Sequence, residues 1–210
     1  MTEDGRLIRG ERTRTTVLDR AMRLTTVEGL DGLSLGRLTA ELGISKSGLF
    51  AHWRSKEELQ LAVIDHARAQ WTASVVQPAL TAPRGVRRLW SVHEHRLAYY
   101  ASGTLPGGCF FANANFEFNA RPGVVQERLA TGLADWMTFL TGLATQAVEL
   151  DLRSGTDAAA LAYQVEALGV CAVMQAPVLG RDQTFRHARH ALHGHLRALS
   201  TDPTILPELT

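Results

Sequence analysis

The sequence has few of the features that mark secreted or membrane-spanning chains. Its 210 residues include only two cysteines, Cys109 and Cys171, and no run of 18 consecutive apolar residues. The first eleven residues are polar and charged, without the apolar core of a secretory signal. We therefore expect a cytoplasmic protein with reduced thiols and no membrane contact. A redox role for either cysteine stays open.

The chain also lacks a strong net charge, since its formal balance is only +1. The charge is unevenly distributed, however. Residues 1–56 contain 10 Lys and Arg against 7 Asp and Glu, whereas residues 57–210 contain 12 against 14. A mildly basic first quarter on a mildly acidic body weakly indicates that the N-terminal end faces nucleic acid.

Sustained two-residue alternation, the pattern of half-buried strands, is absent as well. Apolar residues recur instead at steps of three and four, as in Leu129, Leu133, Trp136 and Leu140. The stretch CFFANANFEF comes closest to alternation, and we interpret it as a short helix or a loop. The sequence therefore predicts an all-α fold.

Helix starts and stops are well marked in the first third of the chain. Ser34 is a predicted N-cap for a helix over 35–42, and Gly43 tolerates the positive φ at which that helix ends. The stretch from Ser55 to Glu58 has the pattern of a capping box, and it opens a long helix from about Lys56 to about Pro78.

Two short helices on either side of Gly43 match a helix-turn-helix. Leu38 and Leu42 face inward, Ile44 fills the turn, and Leu49 and Trp53 anchor a second helix over 45–53. Ser45 is the predicted N-cap of this second helix. The residues left on or near its outer face are Lys46, Ser47, Gly48, Phe50, Ala51 and His52.

The whole stretch from Thr13 to Leu61 resembles the DNA-binding domain of the TetR/AcrR family of transcriptional regulators. The pieces that carry the resemblance are Gly29 after the first helix, LSLGRLTAELGISKSGLF, and the W-x-SKEEL entry to the fourth helix. It implies a three-helix DNA-binding domain over 1–56 and a larger helical ligand-binding and dimerisation domain over 57–210. It further implies a ligand-responsive regulator without enzymatic activity or cofactor. Such a regulator, typically a repressor, binds a palindromic operator as a homodimer and leaves it on binding a small hydrophobic effector.

The resemblance also assigns DNA contacts. Four residues would reach bases or adjacent phosphates: Lys46, Ser47, Gly48 and His52. Four others would hold the phosphate backbone: Ser34, Arg37, Ser45 and Lys56. Phe50 and Ala51 depart from the family pattern, because tyrosines are frequent at both positions, so a hydroxyl contact to phosphate is missing at each.

The rest of the chain offers bulky aromatic residues with Asn113, Asn115 and Glu117 among them, which suits a concave apolar site. The best candidates to line a pocket are Trp90, His93, Leu97, Phe111, Asn115, Trp136, Leu140 and Met174. The last two helices, over about 157–178 and 182–200, would by the resemblance pair with those of a second subunit.

Two other functions, and one further sequence motif, have to be compared with this interpretation. One is a helical small-molecule- or metal-binding protein whose DNA-binding motif is degenerate, with His187, His190, His193 and His195 as its most histidine-rich segment. Another is a hydrolase, because residues 43–48 nearly match Gly-x-Ser-x-Gly. The motif requires a preceding strand, however, and here an amphipathic helix precedes it. Finally, His93-Glu94-His95 is not a metalloenzyme motif, because residues two apart on a helix diverge.

Overall fold

The computed structural model describes the backbone of residues 3–50 and 52–209, and the side chains of residues 12–45, 47–50 and 52–209. Within these residues the regular structure is helical, and no strand occurs beyond an isolated bridge between Leu152 and Ser200. The predicted all-α class is confirmed.

The described chain folds into ten α-helices. They are α1 (Glu3–Glu28), α2 (Leu35–Leu42), α3 (Lys46–Phe50), α4 (Lys56–Trp71), α5 (Gln77–Leu80), α6 (Val86–Ala101), α7 (Phe110–Phe118), α8 (Val124–Leu150), α9 (Ala158–Leu179) and α10 (Arg181–Leu199). A π-helical turn, Thr72–Val76, joins α4 to α5, and a short 3₁₀ helix, Pro203–Ile205, follows α10. The long helix predicted to end near Pro78 therefore continues to Leu80 with a π turn inside it. CFFANANFEF contains a helix, α7.

The predicted helix ends are found where the capping residues indicated. The Ser34 hydroxyl accepts a hydrogen bond from the Arg37 amide, and Gly43 ends α2 with a left-handed φ of 64°. At the start of α4, the Ser55 hydroxyl accepts from the Glu58 amide at 3.0 Å. The Glu58 carboxylate reaches back to the Arg54 amide at 2.7 Å, one residue earlier than in a standard capping box.

Packing divides the chain into two units. Unit 1 contains residues 1–69 and 105–130, and unit 2 contains residues 70–104 and 131–210. The DNA-binding unit predicted over 1–56 thus packs together with a later segment that contains α7 and the start of α8. The functional boundary at 56/57 stays a prediction, because units of packing and of function need not coincide.

The core of unit 1 is built on the predicted helix-turn-helix anchors. Leu38 and Leu49 are fully buried, Trp53 is 2% exposed, and Leu42 and Ile44 are half-buried. Helix α3 is shorter than predicted, however, because it ends at Phe50 instead of Trp53. The Leu49 carbonyl accepts from both the His52 and Trp53 amides, at 3.0 and 3.2 Å. The bond from His52 to Leu49, three residues apart, is of the 3₁₀ type that tightens the last turn of many helices.

The core of unit 2 is aliphatic and lies between α6, α8, α9 and α10. Its fully buried members include Leu89, Val92, Leu140, Val165 and Leu192. Burial of this many branched side chains stabilises the unit at roughly 1.5–3 kcal/mol for each large one. Aromatic rings pack against this core, and the candidate ligand residues Trp90 and Trp136 are among them.

Candidate functional site

The outer face of the helix-turn-helix is exposed and polar. Ser45 caps α3, since its hydroxyl accepts a hydrogen bond from the Gly48 amide at 3.1 Å, and it lies 3.1 Å from the Ser47 hydroxyl. Ser45, Ser47 and Gly48 are all exposed, and Phe50 beside them is 44% exposed. These residues therefore present hydroxyl groups, a bare backbone and one ring to whatever approaches α3. The Lys46 side chain and all of Ala51 lie outside the described residues.

Two of the predicted phosphate contacts are held in surface ion pairs. Arg37 pairs with Glu28 at 2.6 Å and with Glu41 at 3.1 Å, while its side chain stays 52% exposed. Hydrogen bonds from Arg20, which has the larger effect, and from Arg37 hold the pKa of Glu41 below its ordinary value. Exposed pairs of this kind contribute only about 0–1 kcal/mol, so a phosphate can compete for the guanidinium.

Lys56 is paired in a similar way with the turn between α1 and α2. Its ammonium donates to the Asp31 carbonyl and lies 3.1 Å from the Asp31 carboxylate. These bonds from Lys56, helped by the charge of Arg121, hold the pKa of Asp31 below its ordinary value. Lys56 thus ties the start of α4 to this turn while its side chain remains 44% exposed.

His52 lies beside a basic residue that the sequence did not single out. The His52 ring is half-buried with its centroid 5.5 Å from that of the Trp53 ring, and the Arg14 guanidinium lies 4.9 Å from the Trp53 ring centroid. In the sequence Arg14 is one of several arginines near the N-terminus. Only the packing of α1 shows that it meets the residues after α3.

Six of the predicted pocket residues belong to unit 2, and five of these lie on α6 and α8. Trp90, His93 and Leu97 lie on α6, and Trp136 and Leu140 lie on α8. His93 and Leu140 are completely buried, Leu97 is nearly so, and both tryptophans are half-buried. Among these five, the Trp90 ring lies against the His93 ring, with their centroids 5.9 Å apart.

The other three predicted pocket residues lie elsewhere. Phe111 and Asn115 are half-buried on α7, which belongs to unit 1, and the Phe111 ring packs edge-on against Phe110 at 5.2 Å. Met174 lies on α9 and is 51% exposed, among other exposed apolar side chains. A pocket role for these three stays a prediction.

His93 is unusual because neither ring nitrogen has a hydrogen-bond partner among the described residues. Burial lowers the pKa of His93 to about 3, and the positive charges of Arg96 and Arg189 act in the same direction. The Ala188 backbone approaches the ring and opposes this shift, without reaching hydrogen-bond geometry. His93 is therefore a neutral imidazole with two unused hydrogen-bonding atoms.

A buried ion pair, which the sequence gave no sign of, lies next to these residues. The Arg96 guanidinium donates to both oxygens of Glu166, at 2.8 and 3.2 Å, and to the Tyr100 hydroxyl at 2.8 Å. The Trp136 indole donates to Glu166 at 2.6 Å. The Arg96 side chain is only 3% exposed, so its charge is neutralised inside unit 2.

Aromatic rings and a glycine shape the space around this pair. The Arg96 Cζ lies 5.7–6.0 Å from the ring centroids of Trp71, Tyr100 and Trp136. A Cβ placed on Gly169 of α9 would lie 2.3 Å from the Arg96 Cζ. Glycine is therefore required at 169 so that the guanidinium can lie flat against α9.

Asn113 and Glu117, which the sequence suggested as polar groups of a ligand site, instead hold the turn after α1. The Glu117 carboxylate accepts from the Leu30 and Asp31 amides at 2.6 and 2.9 Å. The Asn113 amide group donates to the Thr26 carbonyl at 3.0 Å. The roles of both are thus structural in unit 1.

The outward face of α9 is apolar. Its exposed residues include Tyr163, Met174, Val178 and Leu179, of which Val178 is 83% exposed. By length and composition α9 is apolar enough to cross a membrane, although core helices of soluble proteins pass the same test. Only 33% of its most apolar stretch is buried. Part of this helix therefore lacks an apolar partner in the described residues.

The exposed face of α9 and α10 also bears a groove of about 350 Å³. Cys171 opens onto it with Gln175 and His187, whereas Cys109 is buried and caps α7. The described residues contain no group of three or more His, Cys, Asp or Glu side chains arranged to hold a metal ion.

This arrangement defines a class: a helix-turn-helix protein with a second helical unit, whose aliphatic core is bordered by aromatic rings. Two family models match the chain. "Bacterial regulatory proteins, tetR family" matches residues 17–63, and "Tetracyclin repressor-like, C-terminal domain" matches residues 85–192, about half of the chain. The chain belongs to the TetR family and is a transcriptional regulator with a DNA-binding helix-turn-helix.

Solved structures agree with this assignment. A TetR transcriptional regulator from Chloroflexus aurantiacus is 25% identical, with a TM-score of 0.83 over 91% of this chain and 98% of that one. SCO4454, a TetR-family regulator from Streptomyces coelicolor, is 23% identical, with a TM-score of 0.76 over 90% of each chain. AibR, solved with isovaleryl coenzyme A and operator DNA, is 19% identical, with a TM-score of 0.69 over 85% and 97%. No curated protein matches the sequence.

Proposed function

We propose that this regulator is a cytoplasmic repressor that binds a palindromic operator as a homodimer and is released by a small hydrophobic effector. The observation that carries the proposal is the exposed face of α3, where Ser45, Ser47 and Gly48 lie beside the capped start of the helix. A glycine in this position lets the helix backbone approach the floor of a major groove closely. No enzymatic activity or cofactor forms part of the proposal.

Contacts to bases and to phosphates have different roles. Lys46, Ser47, Gly48 and His52 would reach bases or adjacent phosphates, whereas Ser34, Arg37, Ser45 and Lys56 would hold the backbone and fix the register. Ser34 and Ser45 serve this role from helix starts, where their hydroxyls already order the local amides.

The test of DNA binding begins with duplexes selected from a random pool by the wild-type protein. Lys46→Ala combined with His52→Ala should abolish protection of the selected site, whereas Arg68→Ala, which removes an exposed cation from α4, should leave protection intact. Wild-type binding should weaken steeply with salt. Wild-type protein that binds no duplex in a salt-dependent way would refute the proposal and favour a helical binding protein with a degenerate motif.

The unpartnered apolar face of α9, next to α10, supports a homodimer. Exposed contiguous apolar surface marks sites of association, and two-fold symmetry is the commonest solution for identical chains. Dimerisation also serves DNA reading, because two recognition helices must span successive major grooves about 34–36 Å apart. An effector that changes this spacing lowers operator affinity, and operator binding lowers effector affinity by the same factor.

The interior of unit 2 supports a neutral, hydrophobic and aromatic effector. Trp90, Leu97, Trp136 and Leu140 supply apolar contact, and His93 supplies a neutral donor and acceptor. That AibR was solved with both a coenzyme A thioester and operator DNA supports a fold that serves both ligands. Compounds that release labelled duplex from the wild type should do so less effectively with Trp136→Ala. Equal release by both proteins would exclude a pocket at Trp136.

A further inference from the structure

Unit 1 contains a groove of about 450 Å³ next to α3. Its walls come from α1, the turn after α3, and α4. The lining residues are Arg14, Leu18, His52, Trp53, Glu58, Leu61, Ala62, Asp65 and His66. None of the proposed DNA contacts except His52 belongs to this set, so the groove is a separate feature of the DNA-binding unit.

Two neighbouring residues of this groove, Arg14 and Trp53, carry donors that no described acceptor satisfies. Trp53 is 2% exposed, and its indole N–H has no partner among the described residues. An indole can only donate, and no described residue supplies an acceptor for this buried N–H, which leaves it available to an acceptor on a ligand. Arg14 lies over the Trp53 ring at 4.9 Å, and no carboxylate among the described side chains pairs with it.

The acidic groups of the groove, by contrast, already have partners. The Glu58 carboxylate accepts from the Arg54 amide at 2.7 Å, and Asp65 pairs with Arg128 at 2.6 Å. His66 is bonded to Asp19 at 2.7 Å. The groups of the groove that still lack a partner are therefore the Trp53 N–H and the Arg14 guanidinium, which are both donors and can bond to an oxyanion.

We infer that Arg14, His52 and the Trp53 indole form a binding site, here called the phosphate site, for a backbone phosphate of the operator. This inference rests on the proposed DNA binding. Arg14 leaves the face of the indole to pair with the phosphate, and the phosphate then becomes the missing acceptor of the Trp53 N–H. Phe50 and Ala51 have no hydroxyl group, so this site supplies a backbone contact that neither of them can make.

Two matched variants test the inference on the selected duplex. Arg14→Gln should reduce the slope of log affinity against log salt by about 1 for each subunit bound, because one phosphate per subunit is no longer neutralised. Trp53→Phe keeps a ring but removes the N–H, and should weaken binding about tenfold at constant salt slope. Arg68→Gln, which removes an exposed charge from α4 outside the groove, should leave the slope unchanged.

The source of the phosphate is tested by NMR of the indole N–H signals, with Trp53→Phe identifying the Trp53 resonance. That resonance should move on adding the duplex and stay in place in millimolar inorganic phosphate. Movement with inorganic phosphate but not with duplex would overturn the DNA assignment in favour of a free anion. If the wild type binds the duplex, and both variants bind it with the same affinity and have the same melting temperature as the wild type, the phosphate site is refuted while the proposed function stands. If the wild type binds no duplex, the proposed function itself fails.

Discussion

His93 makes the stability of this protein depend on pH in a defined window. In the unfolded chain its pKa is near the ordinary value of 6.5, whereas in the folded chain burial lowers it to about 3. Between these values the unfolded state binds a proton that the folded state does not. Stability is therefore fully present above pH 6.5 and is lost as the pH falls toward 3.

The size of the effect follows from the two values. Lowering the pH from 7 to 5 protonates nearly every unfolded His93 and almost no folded one, which costs about 2 kcal/mol of unfolding free energy. His93→Leu removes this contribution together with two buried polar atoms that lack partners. The variant should be at least as stable as the wild type at pH 7, because those atoms cost about 1–3 kcal/mol each when buried.

Urea unfolding at pH 7 and pH 5, at one fixed protein concentration, measures the difference between wild type and His93→Leu. Other titrating groups cancel in that difference, which should move by about 2 kcal/mol in favour of the variant at pH 5. His190→Gln, which removes an exposed imidazole, controls for the loss of any histidine. An equal pH effect in wild type and His93→Leu would show that His93 is protonated in the folded protein, against the burial argument.

Three further predictions concern packing. Gly169→Ala should destabilise the protein by about 3 kcal/mol in urea unfolding, because the new methyl group displaces the buried Arg96. Gly142→Ala is the control and should not destabilise the protein, because Gly142 has open space around it. Equal stability of the two variants would refute the tight contact between Gly169 and Arg96. Glu117→Gln should speed amide hydrogen exchange at Leu30, since a neutral amide is a weaker acceptor than the carboxylate; unchanged exchange contradicts the structural role of Glu117. Val178→Asp should shift the particle mass in light scattering from dimer to monomer, and a persistent dimer would place the interface away from α9.

The sequence predicted those parts of the molecule whose causes are local. Ser34, Gly43 and Ser55 mark helix ends through bonds to residues no more than four positions away, so their roles can be seen in the sequence. The anchors Leu38 and Leu49 followed from helical spacing for the same reason. The end of α3 was placed three residues too late, because its last turn depends on one carbonyl shared between two amides.

Partners distant in the sequence account for what was missed. Arginine is usually a surface residue, and only the ion pair with Glu166, 70 positions later in the sequence, makes the burial of Arg96 possible. Glu117 was interpreted only as a polar group among the aromatic residues, because no residue near it in the sequence shows that its carboxylate accepts from the Leu30 amide. Arg14 became a candidate only once the packing of α1 placed it over Trp53.

The contribution of α7 to unit 1 has a consequence for biosynthesis. A ribosome releases residues 1–69 well before residues 105–130, at about 5–20 residues per second, so the helix-turn-helix emerges without the carboxylate that secures the turn after α1. The DNA-binding unit reaches its final packing only after half of the polypeptide has been made. An N-terminal fragment cut at residue 56 would contain every predicted DNA contact and still lack Glu117, so it should fold less stably than the same residues in the whole chain.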